Sequence, residues 1–275
     1  SGRLGPVATP DARMRAYYEQ GKERDRLAGP KGALELERTK EILQRRMPPA
    51  PAAVADIGGG PGRYALWLAE LGYTVQHRDL MDLHVDQLRA FAHPSIQTAT
   101  GDARHLDLTD SSVDAVLLLG PLYHLTERQD RIQALAEAGR IVRAGGPVFV
   151  AAISRWAPRL DGVLQERLYE DNPDFLPLLP EVERTGKLPP VVPNGFVGYT
   201  HRPGDLADEL SEAGLQLDDL VGVEGLPLAA TDMLSRSGDA TAWNVLLDAA
   251  RAVERVPELM GLSPHLIATA TAAPG

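Results

Sequence analysis

Asp56-Ile57-Gly58-Gly59-Gly60-Pro61-Gly62 follows a short apolar run, Ala52 to Ala55, and precedes a helix-like segment, Arg63 to Leu71. That order predicts a strand, a tight glycine loop and a helix. Glycines at 58, 60 and 62 let a ligand press against bare backbone at the carboxyl end of the strand. The helix N-terminus behind the loop attracts negative charge. An acid two residues ahead of the first glycine marks the end of the strand.

Outward from this loop the pattern alternates. Strands are predicted at 53–57, 74–78, 96–99, 114–119 and 147–153, and helices at 62–71, 83–92 and 127–143. Short apolar strands alternating with helices give a parallel sheet covered on both faces. Ahead of it, Asp11 to Leu27 is polar, with Met14, Tyr17, Tyr18 and Leu27 near helical spacing. Gly32 to Met47 reads as a second helix, which Pro48-Pro49-Ala50-Pro51 ends.

The alternation breaks at Trp156. Residues 156–200 are rich in proline and acid and too long for a connection within a compact sheet, so a helical cap is expected there. Arg202-Pro203-Gly204-Asp205 opens a helix to Ala213, and strands follow near 216–223 and 265–270 with a long helix, Thr241 to Val256, between them. The expected division is 1–50 as an N-terminal helical lid, 51–155 as the ligand-binding core, 156–200 as the cap and 201–275 as the rest of the core.

Composition bounds the partners. The chain has 275 residues, 44% hydrophobic and 24% charged, with net charge -10. The acidic balance argues against nucleic acid, whose phosphates need a basic footprint. There is no cysteine, which removes disulfides, thiolate metal sites and cysteine nucleophiles. No apolar run reaches the ~18 residues of a membrane helix, and the first thirty residues hold no apolar signal-peptide core. The expectation is a cytoplasmic protein without membrane contact. A homodimer is compatible with the chain. His77, His84, His93 and His105 stand at no metal-ligand spacing with acids, and no metal is expected.

Three acids fall at the ends of three successive strands: Asp56, Asp79 and, in Gly101-Asp102-Ala103, Asp102. Ligands of open parallel sheets bind along that edge. A carboxylate such as Asp79 can accept two ribose hydroxyls. Two cofactors suit these letters. Gly60-Pro61-Gly62-Arg63-Tyr64-Ala65 fits the dinucleotide fingerprint, with Asp79 where an NAD ribose acid belongs. The fourth strand runs into Gly120-Pro121-Leu122-Tyr123-His124-Leu125, where His124 is the first candidate for a base, its unperturbed pKa of ~6.5 suiting proton removal. His201 and His265 are weaker candidates.

From residue 14 to 155, and more loosely over 200–272, the chain resembles class I S-adenosylmethionine-dependent methyltransferases of the small-molecule type. The resemblance rests on Asp56 with the glycine loop, Asp79, Gly101-Asp102-Ala103, the run from Gly120 to Leu125, and Tyr17 to Leu27. It implies an α/β fold: a Rossmann-like, doubly wound, seven-stranded sheet with helices on both faces, an N-terminal helical lid and a helical cap insertion. It implies S-adenosylmethionine as cofactor. Asp56, Gly58, Gly60 and Gly62 would hold its methionine part and Asp79 its ribose. Leu80 and Met81 would flank the adenine, with Asp102 and Ala103 on its amino group and ring. Gly120 would face the reactive methyl. Tyr18 and Arg26 of the lid would close over the cofactor. His124 with Tyr123 would act on a small-molecule acceptor, at oxygen or nitrogen. Relatives that methylate amino groups of adenine or glutamine place Asp or Asn first in this loop, and Gly120 stands there instead. The alternatives are an NAD-dependent oxidoreductase and a non-catalytic S-adenosylmethionine-binding protein.

Overall fold

In the computed structural model, residues 29–164, 167–192 and 195–272 are described. Tyr18, Arg26 and the first predicted helix lie outside them. The chain runs through α1 (Pro30–Gln44), β1 (Ala53–Ile57), α2 (Arg63–Glu70), β2 (Thr74–Asp79), α3 (Asp82–Arg89), β3 (Ile96–Thr100), β4 (Ala115–Leu118), α4 (Arg128–Ile141) and β5 (Pro147–Ser154). The five strands are parallel in the order β3-β2-β1-β4-β5.

Side chains alternate across this sheet, and each set has its own core. Ala55, Ile57, Val116, Leu118, Val148 and Val150 pack with Leu135, Ala138 and Ile141 of α4. Val54, Val75, Ala115, Leu117 and Phe149 pack on the other face with Ala65 and Leu68 of α2 and Leu43 of α1. A period of two in the strands, met by apolar stripes on helices, is what makes the sheet doubly wound. At ~25 cal/mol per Å² of apolar surface, these two layers are the main stabilising term.

Beyond β5 come the cap helices α5 (Ala157–Leu164), α6 (Leu168–Asp171) and α7 (Leu179–Thr185). Tyr169 stacks on Phe175 inside them, ring centroids 5.4 Å apart, and gives the cap its own small core with Leu179. The cap is not wholly helical. Its end forms β6 (Lys187–Leu188) and β7 (Gly198–His201), an antiparallel pair. β7 continues alongside the carboxyl end of β5, Thr200 opposite Ile153 and His201 opposite Ser154.

α8 (Pro203–Glu212) then leads to β8 (Leu215–Gly222). α9 (Met233–Arg236), α10 (Ala240–Val253) and α11 (Pro257–Met260) precede β9 (His265–Ala272). β9 lies antiparallel between β5 and β8. The path β3-β2-β1-β4-β5-β9-β8 is the expected seven-stranded sheet, closed by the reversed hairpin. β6 and β7 extend it to nine among the described residues.

α1 is fastened to the C-terminal part. Arg38, fully buried, donates to Val223 O at 3.3 Å and pairs with Glu254 at 2.5 Å. No helix among the described residues is long and apolar enough to cross a membrane.

Candidate functional site

The glycine loop sits between β1 and α2, pressed against the loop that follows β4. Gly58 adopts φ 67°, and a Cβ there would lie 2.5 Å from the Pro121 ring. A Cβ on Gly120 would lie 2.7 Å from Gly58 O. Both positions need glycine, for conformation at Gly58 and for clearance at each. The predicted cofactor loop and the predicted acceptor loop therefore touch backbone to backbone.

β2 holds the glycine loop. Gly58 N donates to Arg78 O at 2.6 Å. Gly60 N donates to Asp79 Oδ2 at 2.8 Å, and His77 Nε2 meets Gly60 O at 3.0 Å. With a carbonyl at Nε2, His77 carries its proton there and accepts from Thr98 Oγ1 at Nδ1, 2.8 Å away. Burial lowers its pKa and keeps it neutral.

Asp79 carries more partners than its place in the sequence implies. Its Oδ1 accepts from Met81 N at 2.8 Å and from His84 Nδ1 at 3.0 Å, besides the Gly60 bond on Oδ2. Burial works to raise its pKa, but the His84, Met81 and Gly60 donors outweigh it and hold the group below the usual carboxylate range. A carboxylate offers about four lone-pair positions, and three are taken. Accepting two ribose hydroxyls at once requires one of these donors to yield.

Asp56 is the opposite case. It is 1% exposed, and no donor among the described residues reaches ordinary hydrogen-bond geometry with either carboxylate oxygen, the Ala65 amide pointing at it only weakly. Burial, then the Asp79 charge, push its pKa up to about 7, against a weaker pull from the Ala65 amide. Gly59 folds directly over it, and a side chain there would collide with Asp56 and the His77 ring. An orphaned buried carboxylate is costly until a donor or cation reaches it.

Asp102, half-buried, is engaged by Arg104 through the guanidinium at 2.6 Å and the backbone N–H at 2.9 Å. Burial raises its pKa and Arg104 more than reverses that. Ala103 and Met81 are buried, while Leu80 is half-buried. The structure thus gathers Asp56, Asp79, Asp102 and the three glycines on one sheet edge, as the sequence predicts.

Pro121–His124 forms a single 3-10 turn whose Leu122 plugs the core. The Tyr123 and His124 rings lie 4.9 Å apart, and Phe196 from the cap meets His124 edge-on at 5.2 Å. Nothing in the sequence marks Phe196, which stands in a Pro- and Gly-rich stretch. His124 departs from the expected base of pKa ~6.5: burial, only partly opposed by Asp79, drives it down to about 4. It is neutral at physiological pH, but a weaker base than an ordinary imidazole.

Arg131 frames the far end of this turn. It is 1% exposed, and its Nη1 donates to Leu125 O at 2.9 Å and Thr126 O at 3.1 Å. Glu209 of α8 pairs with it at 2.6 Å, and the guanidinium lies 3.5 Å from the Tyr199 ring centroid. Burial raises the Glu209 pKa, but His201 and Arg131 outweigh it and leave it at about 2. His201 is fully buried with Nε2 3.2 Å from Glu209, so it belongs to this frame. His265 lies at the sheet edge beside Glu224.

Residues 55–150 match the methyltransferase-domain family. An uncharacterised methyltransferase of Mycobacterium tuberculosis is 35% identical over 106 residues, 38% of this chain and 42% of that protein. The ubiquinone/menaquinone biosynthesis C-methyltransferase UbiE of Acidiphilium cryptum is 37% identical over 122 residues, 42% and 48% of the two chains. The chain spans less than half the length of these relatives. Among solved structures, an S-adenosylmethionine-dependent methyltransferase of Methanosarcina mazei superposes with a TM-score of 0.58 at 17% identity, covering 85% of this chain and 98% of that one.

The cofactor of such folds is S-adenosylmethionine, and the residues present fit it. An unpartnered buried carboxylate under a bare glycine loop suits an ammonium group. The helix N-terminus behind the loop suits a carboxylate. The methyltransferase-domain match, rather than the glycine loop alone, favours this cofactor over NAD. Residues 55–150 thus resemble a methyltransferase domain, set in a chain with the fold of S-adenosylmethionine-dependent methyltransferases of known structure.

Proposed function

We propose that the chain transfers a methyl group from S-adenosylmethionine to an oxygen or nitrogen of a small-molecule acceptor. The observation that carries this reading is the seating of the turn Pro121–His124 directly on the glycine loop, with Pro121 against Gly58. An aromatic wall, Tyr123, His124 and Phe196, accordingly stands beside the glycine loop. Such a wall favours a partly apolar acceptor, and the acidic chain disfavours nucleic acid.

The cofactor supplies a methyl group already activated on a sulfonium. The protein's task is placement, which can contribute much of the acceleration. The glycine loop admits the methionine part against backbone. Asp56 receives the ammonium, and Asp79 the ribose once a donor yields. Asp102 and the backbone at Ala103 meet the adenine, with Leu80 and Met81 beside it and Gly120 nearest the methyl. Tyr18 and Arg26 remain part of this proposal as lid residues. Tyr123 and Phe196 hold the acceptor in line. His124, neutral at working pH, accepts a proton at its unprotonated ring nitrogen when the acceptor atom carries one. UbiE is by name a C-methyltransferase; a base beside the turn is what favours oxygen or nitrogen here.

Calorimetric titration with S-adenosylhomocysteine, and with NAD in parallel, tests the cofactor. Micromolar binding of the first and none of the second is expected, and binding of NAD alone would overturn the proposal. Release of S-adenosylhomocysteine from S-adenosylmethionine across a panel of phenols and amines then tests transfer. Tight cofactor binding without turnover on any acceptor would favour a non-catalytic binding protein.

A further inference from the structure

Three side chains of metal-ligating type converge at the carboxyl end of β5, beside the start of β9. Glu35 comes from α1, Glu224 from the segment after β8, and His265 opens β9. One donor atom from each lies within 4.8 Å of the others. His265 Nδ1 is in hydrogen-bond contact with Glu224 Oε1 and 3.9 Å from Glu35 Oε2. The Glu224 side chain is 3% exposed, Glu35 14% and His265 25%.

The backbone around the three is fixed. Val223 N donates to His265 O at 3.0 Å, and His265 N donates to Glu224 Oε2 at 3.2 Å. Gly225 N donates to Ser263 Oγ at 2.8 Å. Glu224 and His265 therefore stand on one braced pair of segments. Glu35 is held in register with them because Arg38, one turn further along α1, reaches Val223 O. Preorganised donors, supported by hydrogen bonds of their own, distinguish a binding site from a chance cluster.

We infer that Glu35, Glu224 and His265 form a binding site for a divalent transition-metal cation. Metal–ligand distances of ~2.0–2.2 Å put neighbouring ligand atoms about 3–3.5 Å apart. Small side-chain adjustments from the present separations reach that spacing. One imidazole nitrogen with two carboxylate oxygens suits Zn²⁺ or Mn²⁺ better than Mg²⁺ or Ca²⁺, which prefer oxygen throughout. Three protein ligands leave coordination positions for water or a ligand oxygen. The site opens on the edge where β5 and β9 meet, since His265 lies opposite Ile153 at the carboxyl end of β5.

Tag-free protein, dialysed against a chelator, is titrated with MnCl₂ by the electron paramagnetic resonance signal of free Mn²⁺, and with ZnCl₂ by calorimetry. One cation per chain is expected. Glu35→Gln should weaken it at least about tenfold, and His265→Ala should abolish it. Absence of saturable binding of either ion at one per chain would overturn the inference. So would binding that Glu35→Gln leaves unchanged. Glu35 keeps 14% of its side-chain surface against 3% for Glu224, so its variant is the milder one and decides the matter even where Glu224→Gln fails to fold. Neither cofactor nor acceptor enters the measurement, so its outcome is independent of the proposed methyl transfer.

Discussion

The Gly60 backbone N–H donates to the Asp79 carboxylate at 2.8 Å, so the glycine loop and the acid of the second strand close on each other. One carboxylate both braces the loop and is the proposed ribose acceptor. Asp79→Asn should therefore weaken S-adenosylhomocysteine binding and loosen the loop together. A charge-assisted hydrogen bond contributes about 1.5–3 kcal/mol, so a loss of roughly ten- to a hundredfold in affinity is expected by calorimetry. Unchanged affinity would remove Asp79 from the cofactor site.

Asp56 makes stability depend on pH. Its folded pKa of about 7 stands above the ~3.9 of an unfolded chain. Between these values the folded protein holds a proton that the unfolded chain has lost. Stability of the cofactor-free protein should then fall as pH rises from about 4 to about 7. Asp56→Asn should flatten that part of the profile, which melts from pH 4.5 to 7.5 can follow.

The same group predicts proton release on binding. An ammonium beside Asp56 favours its charged form, so S-adenosylhomocysteine should displace close to one proton near pH 6. Calorimetry in buffers of different ionisation enthalpy reads this directly. A binding enthalpy independent of buffer would separate Asp56 from the ammonium.

His124 should leave no inflection at its ordinary pKa. With its folded pKa near 4, turnover at saturating cofactor should not bend near pH 6.5 on its account. His124→Ala should reduce turnover partially, by roughly ten- to a thousandfold for a hydroxyl acceptor and less for an amine already unprotonated. An inflection near pH 6.5 that vanishes in the variant would refute the neutral state.

Arg131 and Glu209 hold the end of the turn Pro121–His124, the proposed acceptor wall, by a buried ion pair. Removing one partner leaves the other charge in a dry site, at a cost of about 3–5 kcal/mol. Arg131→Met should lower the unfolding free energy by that order in denaturant titration. It should also raise the acceptor KM more than it weakens cofactor binding, because the Leu125 and Thr126 carbonyls lose their donor. The Glu209 share, with its folded pKa about 2, is present above roughly pH 4.3 and fades as pH falls toward 2. A cofactor affinity that falls as much as acceptor affinity would mean Arg131 serves the whole fold.

The sequence by itself determined the architecture and the cofactor edge. Apolar runs of strand length between helical stripes leave few arrangements for β1 to β5, and Asp56, Asp79 and Asp102 come at strand ends by local position alone. Glycines 58, 60 and 62 are equally legible, because left-handed backbone and close approach are properties of the residue. What each acid does was decided by tertiary structure. Asp56 is orphaned because Gly59 closes over it, whereas Asp79 and Asp102 meet donors brought by His84 and Arg104. His124 lost its ordinary basicity to burial, a property of packing rather than of sequence. Phe196 reached the acceptor turn only because β7 docks on the end of β5. Glu35, Glu224 and His265, distant in sequence, meet because β8 and β9 pair and Arg38 ties α1 to them. Local rules write strands, loops and helices; long-range packing sets desolvation and partners, and these fix the chemistry of each side chain.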